Sequence, residues 1–144
     1  MNRGRQATTG YFVATDGSSY ENFMGRWSSR LAPLFLEFTG IKTNDRVLDV
    51  GCGTGVMTHE AAVLGANTVG FDMSEQYLDY ARTHRSHLKA QYEHGDARSL
   101  PYPDNSFNVA IATLAIDVVP YAEEIVTEMR RVVRSGGIIA SALP

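Results

Sequence analysis

The chain has 144 residues, 44% of them hydrophobic, which suits one globular domain with a single core. Its 13 basic and 16 acidic residues give a formal net charge of −3 and lie scattered along the chain, so no electrostatic footprint for nucleic acid is present. A lone cysteine, Cys52, excludes an intramolecular disulfide, and neither a membrane-length apolar run nor an apolar leader core occurs, so a cytoplasmic protein without membrane insertion is expected.

In chain order, residues 1–18 are rich in Gly, Thr and Ser without periodicity and are expected to form a flexible arm, leaving 19–144 as the domain. From Tyr20 to Phe38, the residues Phe23, Trp27, Leu31, Leu34, Phe35 and Phe38 recur at three- and four-residue steps. This spacing predicts one face of a helix or helix pair, with Pro33 as a break or kink. Five short apolar runs follow at 46–50, 68–72, 91–95, 108–113 and 138–143, most of them separated by helical patterns. Ser74 is placed to cap a helix carrying Leu78 and Ala81. A later helix with Ile125, Met129, Val132 and Val133 on one stripe is expected to run until Gly136-Gly137. The runs near 109–112 and 137–140 are continuously apolar, as in strands covered on both faces, so the alternation predicts an α/β fold with a doubly wound parallel sheet.

The segment Val47-Leu48-Asp49-Val50-Gly51-Cys52-Gly53-Thr54-Gly55 is a buried strand entering a glycine-rich turn, followed by a helix with Met57, Ala61 and Leu64 at helical spacing. Three glycines there permit a tight turn and let a nucleotide-like ligand lie against the backbone. Asp72 ends the second strand 21 residues after Gly51, near the spacing at which such folds direct a carboxylate to ribose hydroxyls. Asp96, in Gly95-Asp96-Ala97 after the third strand, suits the exocyclic amine of adenine. Cys52 reads as packing or lining the turn rather than as a nucleophile, although a helix N-terminus can activate a thiol.

A dinucleotide is the competing ligand, but a G-x-G-x-x-G turn would place its third glycine at Val56, and no Lys or Arg lies between Val47 and Asp72. An acidic wall suits a positively charged ligand better than a pyrophosphate. The stretches VLDVGCGTG, GFDMS, GDARSLPYPDNSFNVAIA and RRVVRSGG resemble the successive signatures of class I S-adenosylmethionine (SAM)-dependent methyltransferases, in the branch acting mostly on small-molecule and lipid-like acceptors. The resemblance spans about residues 20–143. It implies a Rossmann-like sheet in the order 3-2-1-4-5 under an N-terminal helical cap, with SAM as cofactor and S-adenosylhomocysteine as product.

It also implies roles. Gly51, Gly53 and Gly55 would pack on the methionine part with Asp49 at its amine, Asp72 at the ribose, Met73 beside adenine, and Asp96 with Ala97 at the adenine edge. Thr113 and Leu114 would line the path to the acceptor, and Tyr20, Arg26 or Arg30 would meet the methionine carboxylate. Methyl transfer needs no elaborate catalytic set; His59, His84, His87 and His94 form no constellation, and Asp117 is a weak candidate for acceptor contact. A non-catalytic SAM-binding module and an NAD-binding domain are the alternatives. Family members continue past the fifth strand with a helix and two antiparallel strands, so the chain reads as truncated, with an apolar fifth-strand edge open to self-association. No spacing of a metal site occurs.

Overall fold

In the computed structural model, residues 17–143 are described, without the side chains at 20 and 23. Most of the expected arm therefore lies outside the described residues. The chain begins with α1 (Gly17–Tyr20), a π-helical turn (Glu21–Gly25) and α2 (Arg26–Thr39). It continues through β1 (Arg46–Val50), α3 (Val56–Val63), β2 (Asn67–Asp72), α4 (Glu75–His84), β3 (Ala90–His94) and β4 (Phe107–Thr113). A 3-10 turn (Ile116–Val118), α5 (Ala122–Val132) and β5 (Val133–Ala142) complete it.

The five strands are all parallel in the order β3-β2-β1-β4-β5. Alternation along β1 explains the layering, because Val47 joins α2 and α3 through Ala32, Phe35, Met57 and Ala61, whereas Leu48 and Val50 face Ile125 and Met129 of α5. α4 covers the first face farther along, where Leu78 and Ala81 meet Tyr92 of β3. Ser74 caps α4 as the sequence predicts, its hydroxyl accepting from Tyr77 N–H at 3.3 Å.

Between β3 and β4 the crossover is an extended loop. Arg131 of α5 donates to the carbonyls of Leu100 and Tyr102 at 3.0 and 2.8 Å, while the Leu100 N–H donates to Glu128 at 2.7 Å. Tyr102 then stands edge-on to both Phe71 and Phe107, sealing the second face where another helix would otherwise lie.

Four local expectations change. α2 runs unbroken through Pro33, which lies with Ser29 on the exposed side, where water can take the bond that the missing N–H leaves open. The apolar residues of α2 do not form one buried face: Ala32, Phe35 and Leu36 are buried while Trp27, Leu34 and Phe38 are exposed, Phe38 at 79%. α5 stops at Val132 rather than at the paired glycines, because Val133 already pairs with Phe107 in the sheet. Between that pair and Val109↔Ile138 the register shifts, and Gly136 takes φ +77° inside the irregularity. Ile138 and Ile139 are exposed on this outer strand, so the apolar run near 137–140 is not covered on both faces as its composition led one to expect.

Candidate cofactor site at the carboxyl ends of β1, β2 and β4

The strand order reverses between β1 and β4, and open α/β sheets hold ligands at such a switch point. At the end of β1, Gly51, Gly53 and Gly55 have φ of +71°, +56° and +86°, the left-handed region that side chains with a Cβ avoid. The turn is tied to β2, since Gly51 and Cys52 both donate their N–H to the Phe71 carbonyl, at 2.8 and 3.1 Å. A Cβ on Gly55 would lie 2.7 Å from the Tyr92 ring, and one on Gly51 would lie 2.6 Å from Ala115. Gly55 thus serves close packing on β3 and α4, and Gly51 lets the segment after β4 approach.

Asp72 anchors the same turn. Its Oδ2 accepts from Gly53 N–H at 2.9 Å and its Oδ1 from Ser74 N–H at 2.8 Å. Each oxygen keeps a lone pair, so the carboxylate can hold the turn and still accept from two hydroxyls. Burial raises its pKa, opposed by those backbone donors.

Asp49 points to the α3 face at 1% exposure. Its Oδ2 accepts from Thr58 Oγ1 at 2.7 Å, and its Oδ1 is buried without a partner. Burial pushes its pKa up to about 7, with Asp72 adding to the rise and Thr58 opposing it. A buried carboxylate oxygen left open beside a second acid calls for a cationic donor. Burial and the neighbouring carboxylates of Asp49 and Asp72 push the Cys52 thiol well up, and Cys52 packs against the cluster of Leu78, Ala81 and Tyr92.

Around the rim, Met73 is 62% exposed, and Tyr121 O–H reaches its sulfur at 4.0 Å. Asp96 accepts at both oxygens from Arg98, which holds its carboxyl below the ordinary value, and the Arg98 guanidinium lies 4.5 Å from the Tyr121 ring centre. Ala97 packs partly against the α5-side core. After β4, Leu114 adopts φ +55° and donates its N–H to Ala142 at 2.9 Å, while Thr113 stays partly buried. Asp117 is exposed in the 3-10 turn. Arg26 and Arg30 are exposed on α2 and form no ion pair among the described residues; the Tyr20 side chain lies outside them. His94 and His84 bind backbone carbonyls of Met73 and Tyr80, and His87 accepts from Lys89 N–H.

Asp49, the glycine turn, Asp72 and Met73 thus come together, with Leu114 and Ala115 across from them. The sequence reading missed Thr58, Arg98, Tyr121, Thr54 and Glu21. Thr58 had a signal, as a threonine among the buried apolar residues of α3. Arg98 had one too, two residues after Asp96.

The Methyltransferase domain family matches residues 48–141, from inside β1 to inside β5, and so takes in the glycine turn, both anchoring acids and the segment after β4. The chain belongs to the class I SAM-dependent methyltransferase family. Within this methyltransferase family, a malonyl-[acyl-carrier protein] O-methyltransferase from Yersinia pestis is 32% identical over 141 residues, covering 96% of this chain and 51% of the relative. A sterol 24-C-methyltransferase from Gibberella zeae is 34% identical over 127 residues, covering 85% of this chain and 32% of the relative. Among solved structures, the [4+2]-cyclase SpnF superposes with a TM-score of 0.72 at 31% identity, covering 78% of this chain and 43% of its own. The chain spans about half the length of the first of these relatives and a third of the second.

Proposed function

We propose that this chain binds SAM and that the protein transfers its methyl group to a small-molecule acceptor. The observation that carries the reading is the buried, unpartnered Oδ1 of Asp49 beside a glycine turn whose backbone is anchored by Asp72. An amine donor satisfies the first, and vicinal ribose hydroxyls match the spare lone pairs of the second. The absence of Lys and Arg from Val47 to Asp72 favours a sulfonium over a pyrophosphate.

When bound, SAM supplies a methyl carbon already activated by its sulfonium. The protein's share is then alignment and exclusion of water. In this reading Gly51 and Gly53 admit the methionine part, Asp49 holds the amine, Asp72 the ribose, and Met73 flanks adenine with Asp96 and Ala97 at its edge. Tyr20 with Arg26 or Arg30 receives the carboxylate. Thr113 and Leu114 border the approach of the acceptor, and Asp117 is the residue placed to meet it or take its proton. The two curated relatives carry oxygen and carbon as acceptor atoms in their names, so the matched half does not fix that choice.

Thermal unfolding with SAM, S-adenosylhomocysteine and NAD in separate samples tests the cofactor. A ligand at about a hundred times its dissociation constant adds roughly 2.7 kcal/mol, several degrees of midpoint. A shift with the two sulfur nucleotides and none with NAD is expected; a shift with NAD alone would overturn the reading. Because SpnF is a cyclase on this fold, methyl transfer is measured separately, with radiolabelled SAM and candidate acceptors.

No helix among the described residues is long and apolar enough to cross a membrane.

A further inference from the structure

We propose that Glu21 is a positioning residue for the glycine turn, a carboxylate on the N-terminal segment that fixes Thr54 and through it the middle of the turn. Thr54 lies between two glycines of positive φ and is 1% exposed, yet its side chain is bonded outside the sheet: Thr54 Oγ1 donates to Glu21 Oε2 at 2.7 Å. The other anchors of residues 51–55 come from β2, or from Cys52 within the turn itself. Glu21 is thus a clamp applied from the N-terminal segment.

Its own position is fixed twice. Glu21 Oε1 forms an ion pair with Arg85, just past the end of α4, and both side chains are about four-fifths buried. Gly25, one turn along, leaves room for the Glu21 carboxylate, where a Cβ would collide with it. Farther back, Gly17 packs directly on Tyr80 of α4, seating the start of the segment. Arg85 in turn is held in the fold, since Tyr92 O–H donates to its carbonyl at 2.8 Å. Tyr92 is the ring that packs on Gly55. A loop therefore closes through Glu21, Arg85, Tyr92 and the turn, joining segments 33 and 64 residues apart in sequence.

A hydrogen bond to a carboxylate is stronger than a neutral one, and this carboxylate is already oriented by a guanidinium. Loss of the charge weakens the Thr54 bond and leaves Arg85 largely buried without its ion-pair partner. Gly53 and Gly55 on either side of Thr54 have no side chains with which to compensate. Its backbone then samples more conformations, and a ligand resting on it must re-order them on binding.

The inference extends the SAM reading only in its second measurement. The first is hydrogen exchange of amides 51–57 in the ligand-free chain. Glu21→Gln and Thr54→Val each speed exchange there by about tenfold while amides of β4 and β5 stay as they were; Thr54→Ser, which keeps the hydroxyl, restores protection. The double variant Glu21→Gln/Thr54→Val is no worse than the more severe single one, because both remove the same bond. The second measurement is S-adenosylhomocysteine dissociation, expected to be about tenfold faster in the same two variants. Arg85→Gln, remote from the turn, reproduces the effect in weaker form and serves if a turn variant fails to fold. Unchanged exchange at 51–57 in Glu21→Gln and Arg85→Gln, or additive effects in the double variant, would overturn the assignment. Failure of the wild-type chain to bind S-adenosylhomocysteine would instead strike the cofactor reading and leave the exchange result standing.

Discussion

The carboxyl ends of β1 and β2 adjoin the carboxyl end of β4 on one edge of the sheet, and the two regions are built in opposite ways. At β1 and β2 the glycine turn and the strand ends are tied down: Phe71 takes two backbone donors, Asp72 two more, Asp49 a buried hydroxyl. At β4 the chain leaves the sheet through Leu114 in a left-handed conformation and a single 3-10 turn with no buried residue, held by Leu114 N–H to Ala142 and Val119 N–H to Ile116. The first region is preorganised, which lowers the ordering cost of binding a constant ligand. The second is lightly held. In the proposed reading the first region holds the cofactor and the second meets the acceptor.

The largest expected effect probes the tightness of the first region. The Asp49 carboxyl is raised from its ordinary 3.8 to about 7, so between those values the folded chain holds a proton that the unfolded chain has lost. Stability of the ligand-free protein therefore falls as pH rises from about 4 to 7 and levels off above. The drop is of the order of 2–4 kcal/mol by linkage. Asp49→Asn should flatten this profile in urea titrations at pH 5 and pH 8, being the more stable form at pH 8; an unchanged slope would show that Asp49 is ionised throughout. The sign reverses for a cationic ligand, which needs the ionised carboxylate, so SAM affinity should rise through pH 7 and lose that dependence in the variant.

Asp72→Ala comes next. It removes two backbone anchors of the turn together with the proposed ribose contacts, and should weaken SAM binding by about 1.5–3 kcal/mol, ten- to hundredfold. Calorimetric titration that finds wild-type affinity would show that the tied-down region does not carry the ligand.

What could be read in the sequence follows the same division. The strand runs, the glycine turn and the Ser74 cap were legible because each rests on neighbours within one element, where period and spacing state the geometry. The Asp72 anchor was half legible: its position at a strand end was visible, its bond to Gly53 N–H was not, because that pairing crosses 19 residues. Glu21 gave no local sign at all, since its partners lie 33 and 64 residues away and carboxylates on helices are ordinarily solvated. The end of α5 was misjudged for a related reason. Val132 and Val133 fit the helical stripe, but pairing of Val133 with Phe107 overrides local propensity. Similarly, the stripe from Trp27 to Phe38 states that α2 is amphipathic without stating which of its apolar residues the sheet will cover.

The smaller effects probe the looseness of the second region. Leu114 at φ +55° carries strain that glycine would not, so Leu114→Gly should be about 1 kcal/mol more stable than Leu114→Ala in urea unfolding, although both delete the same half-buried side chain. Equal or reversed stabilities would show the left-handed backbone to be unstrained.

Asp117→Ala should change least. The residue is exposed in a turn that makes one backbone bond of its own, so cofactor affinity and stability should both stay within about 0.5 kcal/mol of wild type. That near-silence is informative only beside turnover. If Asp117 meets the acceptor, methyl transfer falls through a higher KM for the acceptor or a lower kcat, while the SAM titration is unmoved, and the boundary between the two regions runs between Gly51 and Ala115, whose Cβ fills the space above the glycine. If SAM affinity falls instead, the 3-10 turn closes over the cofactor, and the loosely held end of β4 belongs to the binding site rather than to the acceptor's path.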